Sequence, residues 1–114
     1  MQKHTIQLNV TLDPAKMPEH IDWTASGTEA GDRPQQAKAF MLSLWDGEEK
    51  TAMRMDIWTK RMMVDEMNDF FVQTLLTMGD TYARATKDPE LGNEIKEFAK
   101  AFKKKAEDKM ITKN

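Results

Sequence analysis

The sequence predicts an α+β domain in two layers, a four-stranded antiparallel sheet followed by two helices packed on one of its faces, in the order ββββαα. Apolar residues alternate with polar ones through the first half of the chain, and recur every three or four residues in the second half. No strand pattern returns between or after the helical stretches, so the strands pair antiparallel without crossover helices. The 114 residues fit a single domain over 1–114, because a chain of this length buries roughly two-thirds of its unfolded surface around one core.

Ile6, Leu8, Val10 and Leu12 alternate with Thr5, Gln7, Asn9 and Thr11, the period of a strand with one buried face. Asp13-Pro14 and Pro18 bracket a connection that cannot continue a ladder, and Ile21, Trp23 and Ala25 form a second strand. From Ser26 to Gln35 the residues Gly27, Gly31, Asp32 and Pro34 supply turn chemistry with almost nothing apolar, which reads as a flexible surface loop over 26–35. Ala37 to Asp46 and Thr51 to Thr59 are two further strands joined by a DGEEK turn. With Leu44 opposite Met53, the same register sets Leu42 on Met55 and Phe40 on Ile57, an apolar face for the helices to cover. The sheet then spans residues 1–59.

Val64, Met67, Phe71, Leu75, Met78 and Tyr82 follow at helical spacing, widened by Phe70 and Thr74. Asp65 and Glu66 meet the positive end of the helix dipole, and Gly79 is a weakness late in the run. The first helix occupies 62–86. Asp88 as N-cap and Pro89 at the first helical position start the second, over 89–110, with Leu91, Ile95, Phe98 and Phe102 on one face.

Seventeen Lys and Arg against nineteen Asp and Glu leave a net charge of -2, which gives no field to draw nucleic acid. With no cysteine there is no disulfide framework, no Cys-ligated zinc and no thiol nucleophile. The N-terminus has no uninterrupted apolar core of a signal peptide, and no window approaches the ~18 apolar residues that span a bilayer. The expectation is a cytoplasmic protein with no integral membrane segment.

No catalytic motif is found. Carboxylate pairs such as Asp65/Asp69 lie one turn apart on a solvent face, and no Gly-rich phosphate loop or nucleophile motif occurs. His4 and His20 have no neighbour at metal-ligand spacing. Met53/Met55 and Met62/Met63/Met67 could offer soft thioethers to Cu(I), but they fall where strand and helix periods need apolar residues and are assigned to packing. The basic run Lys103 to Lys105, with Lys109 and Lys113, complements the negative end of the last helix and is diluted by Glu107 and Asp108. We therefore expect no enzyme activity, no catalytic or metal-binding residues and no cofactor.

The opposite sheet face is more informative. It carries Met41, Trp45, Arg54, Asp56 and Trp58, and Trp is over-represented at binding hot spots. These residues are the candidate surface for a protein partner or for a homo-oligomer; a one-residue slip in register would instead make both tryptophans core.

The run from LWD through DIWTK to DEM, FF, QTL and DTYARAT, with VTLD and IDWTAS upstream, resembles the gliding-motility protein GldC family of Bacteroidetes-type bacteria. In the family pattern an Asp follows the WTK triplet and a Pro lies two residues later; here those positions are Arg61 and Met63, so the helix start is less rigid. The resemblance implies a small cytoplasmic accessory protein of the gliding and associated secretion machinery, in contact with other motility components and without enzyme activity. It defines no catalytic or ligand residues. The strands-then-helices order is also similar to SecB-type export chaperones, which gives a chaperone or adaptor as the alternative.

Overall fold

Strand β1 (Ile6–Leu12) pairs antiparallel with β2 (Pro18–Ala25), placing Leu8 opposite Trp23 and Val10 opposite Ile21. The turn between them is built by Asp13. Its Oδ1 accepts the amides of Ala15 at 2.8 Å and Met17 at 3.0 Å, and its own amide donates to the Met17 carbonyl. Lys16 closes the turn in the left-handed region, at φ 66. The computed structural model describes residues 2–27 and 31–112, with the side chains of 31, 32 and 112 left aside. The chain divides into two compact units, Met1–Met62 and Met63–Asn114.

A third strand, β3 (Gly31–Ala37), pairs with the other edge of β2 through Ile21↔Ala37, Asp22↔Gln36 and Trp23↔Gln35, and the register shifts before Ala25↔Gly31. Part of the segment expected as a loop over 26–35 is therefore strand; residues 28–30 lie outside the described residues. GDRPQQA lacks apolar alternation because it is an outer strand held by its backbone. Pro34, which cannot donate to a ladder, is tolerated at such an edge and irregularity. Ile21, in the central strand between Val10 and Ala37, is fully buried.

After Lys38 the chain enters β4 (Ala39–Asp46), which among the described residues pairs with β5 (Thr51–Trp58) alone. The sheet is thus not one of four strands. It is a three-stranded sheet ordered β1-β2-β3 and a separate two-stranded ribbon, β4-β5. At the corner, Thr59 is 1% exposed and donates both its amide, at 2.8 Å, and its hydroxyl, at 3.0 Å, to the Lys38 carbonyl.

In the second unit, α1 (Val64–Thr86) and α2 (Pro89–Thr112) form a helical hairpin. At the α1 start, Glu66 Oε1 accepts the Met63 amide at 3.2 Å, the carboxylate half of a capping box. Lys87 ends α1 in the left-handed conformation, and Asp88 Oδ1 caps α2 by accepting the Leu91 amide at 3.0 Å. The helices meet along small residues. Val72, Gly79, Gly92 and Ala99 are buried, and a Cβ added to Gly79 would lie 2.7 Å from the Gly92 carbonyl oxygen.

The apolar stripes read from the sequence are not this seam. Phe71, Met78, Tyr82, Leu91 and Phe98 are exposed. Phe71 precedes the seam residue Val72 by one position, about 100° round the helix, so the large side chains flank the contact rather than fill it. Gly79 is correspondingly a point of close approach and not a weakness.

Candidate functional site

The candidate surface is the β4-β5 ribbon, whose turn fixes which side chains share a face. Asp46 Oδ1 accepts the amides of Glu48 at 2.9 Å and Glu49 at 3.2 Å, while the Lys50 amide donates to the Asp46 carbonyl at 2.8 Å. The pairs Leu44↔Met53, Leu42↔Met55 and Phe40↔Ile57 follow, the register expected from the sequence. Along this apolar face Leu44, Met53 and Met55 are 54–62% exposed.

On the other face Trp45 lies opposite Ala52, Ser43 opposite Arg54, Met41 opposite Asp56 and Ala39 opposite Trp58. Each tryptophan thus has alanine as its cross-strand neighbour, and the indoles are 70% (Trp45) and 56% (Trp58) exposed. Their ladder positions are roughly 20 Å apart at the rise of an antiparallel strand. Between them Arg54 forks onto Asp56, Nη2 to Oδ1 at 2.8 Å and Nε to Oδ2 at 3.3 Å. Such a solvent-facing pair contributes about 0–1 kcal/mol to stability; it holds the guanidinium along β5. Met41 is half-buried. The result is an aromatic strip with a charged centre.

The residues after β5 tie this ribbon to the β1-β2 turn. Lys60 Nζ contacts Asp13 Oδ2 at 2.6 Å. Arg61 Nη2 donates to the Glu19 carbonyl at 3.3 Å and to His20 Nδ1 at 2.9 Å, where the imidazole nitrogen must accept because guanidinium only donates. The Lys60 hydrogen bond, reinforced by the Met17 amide, lowers the Asp13 pKa from its ordinary 3.8. The same contact raises Lys60 above 10.5.

A carboxyl whose folded pKa is depressed contributes stability that is present above its unfolded value and lost as pH falls through the folded one. Asp13→Asn should therefore be less stable than wild type above about pH 4, the difference closing toward pH 2. Urea unfolding across that range measures it; a gap that persisted undiminished at the acid end would refute the assignment. At the alkaline end the Lys60 contribution is full below 10.5 and is lost as pH rises from there through the raised folded value.

A family model described as gliding motility-associated protein GldC-like matches residues 18–108, from the start of β2 into the last turns of α2. The chain belongs to the GldC-like family. Comparison with curated proteins and with solved structures gives no match.

The GldC-like match takes in the whole ribbon, and with it Met41, Trp45, Arg54, Asp56 and Trp58. What reading the sequence missed is the clamp of Asp13, Thr59, Lys60 and Arg61. The WTK triplet was the signal available, but its partners are remote in sequence. Arg61 is engaged with β2. Among the described residues no group of three or more His, Asp or Glu side chains is placed to hold a metal ion, and no helix is long and apolar enough to cross a membrane. Lys103 and Lys104 line a crevice together with Asp65, Asp69, Glu107 and Asp108, so the basic run of this GldC-like chain is interleaved with acids.

Proposed function

We propose that this GldC-like chain acts in gliding motility as a non-enzymatic, cytoplasmic accessory protein, binding another motility component through the Trp45/Trp58 strip. The observation that carries the reading is the exposure of both indoles on either side of the Arg54-Asp56 fork. Tryptophan and arginine are enriched at hot spots, tryptophan because its large rigid ring gains much contact area while losing few rotamers.

Trp45→Ala combined with Trp58→Ala should weaken partner binding by about 2 kcal/mol or more, roughly thirtyfold, in a quantitative pull-down from a gliding host. Their exposure means the fold should survive. Undiminished capture by the folded double variant would remove the proposal. The open Leu44/Met53/Met55 face favours a second reading, a chaperone-like adaptor, since methionine adapts to varied apolar surfaces. Binding that persists in the double variant and extends to unrelated unfolded chains would support that reading instead.

A further inference from the structure

We propose that the chain self-associates through one face of its helical hairpin, a second copy covering that face so that two hairpins form a four-helix bundle. The hairpin is separate from the ribbon residues invoked above, so either proposal can fail without the other.

The argument begins at the seam. Val72 and Gly79 on α1, and Gly92 and Ala99 on α2, stand seven residues apart on each helix, about two turns. These small residues bring the backbones together and leave the larger side chains to one side. Those side chains converge: Leu75 and Tyr82 from α1 and Leu91, Ile95 and Phe98 from α2 line one shallow groove of about 490 Å3. Glu94 is the charged residue among its described lining. Phe98, stacked at a tilt on Phe102 with ring centroids 6.2 Å apart, still exposes 60% of its surface.

A contiguous apolar helix face of this extent is of the size that often marks an interaction surface. The exposed parts of Phe71, Met78, Tyr82, Leu91 and Phe98 amount to roughly 500 Å2 per protomer, so two copies together would bury about 1,000 Å2, the threshold for a specific interface. The half-buried Leu75 and Ile95 add to it. The face also carries both halves of a self-complementary contact, a projecting aromatic ring and an apolar groove beside it. A two-fold axis lets each Phe98 enter its partner's groove, and hairpin against hairpin is the usual packing of such stripes.

Sedimentation velocity of the full chain, from low micromolar to a few hundred micromolar, should show a species of twice the 13.2 kDa monomer mass. Phe98→Glu should raise its dissociation constant at least tenfold. Because the chain has no cysteine, Phe98→Cys and Gln73→Cys supply a second measurement that does not depend on the charged variant folding. A short bismaleimide should link two chains of the first and not of the second, whose residue lies on the opposite, polar side of α1. A monomer at every concentration, a dimer indifferent to Phe98→Glu, or equal linking of both cysteine variants would each overturn the proposal, including the case in which another protein covers the face.

Discussion

Ile21→Ala is expected to destabilise residues 1–62 by about 2–5 kcal/mol. Ile21 is fully buried in the middle strand, paired to Val10 on one side and Ala37 on the other. Its truncation removes contacts on both sides and leaves a cavity that a strand hydrogen-bonded along both edges cannot close. The loss is large relative to the few kilocalories by which a small unit exceeds its unfolded state. All three tryptophans, Trp23, Trp45 and Trp58, lie in this unit, so the urea midpoint of tryptophan fluorescence reports it directly. Leu44→Ala, at a position already 59% exposed, is the control and should shift the midpoint by under about 1 kcal/mol. An Ile21→Ala midpoint no lower than that of Leu44→Ala would mean that the unit is held by something other than its central strand.

The contrast between these two leucine-sized residues marks where sequence reading succeeds and stops. Alternation identified β1, β2, β4 and β5, and the DGEEK turn with facing apolar triplets fixed the ribbon register residue by residue. Alternation shows which side chains share a face; it does not show what covers that face. Leu44, Met53 and Met55 have the pattern of core and the exposure of surface. β3 escaped for a complementary reason. An outer strand is stabilised by its backbone bonds to β2, and GDRPQQA carries none of the side-chain signal that burial imposes. Its omission is what turned two sheets into one.

The same limit applies at the candidate site. Met41, Trp45, Arg54, Asp56 and Trp58 were placed on one face by counting residues, and the turn at Asp46 holds that count. The Asp13-Lys60 and Arg61-His20 contacts join residues more than 40 positions apart in the chain, which no local pattern encodes. Helix starts and stops were legible because their chemistry is local: Asp88 caps the amide three residues on. The helix seam was not legible, because glycine and alanine score as weak positions in any apolar stripe although they set the closest approach.

Gly79→Ala tests that seam through the sign of its effect. In an exposed helix interior the change gains about 1 kcal/mol from helix propensity. Here the new Cβ would stand 2.7 Å from the Gly92 carbonyl oxygen and 2.5 Å from Lys96 Cγ. Lys96 can move, at the expense of its 2.8 Å contact with Asp80; the carbonyl belongs to the backbone, so relief requires the helices to separate. Overpacking of this kind costs typically 1–3 kcal/mol, and we expect a net loss of about 1–2 kcal/mol, seen as a fall of several degrees in the 222 nm melting curve. Gly47→Ala, with nothing within 4 Å, should be neutral to about 0.5 kcal/mol. Gly92→Ala meets the Gly79 carbonyl oxygen at 2.6 Å and forces the same separation from the other side. Once one substitution has moved the helices apart the second has less left to disrupt, so the double variant should lose less than the sum of the singles by at least about 0.5 kcal/mol. Strict additivity, or a stabilising Gly79→Ala, would show that the helices do not meet at these glycines.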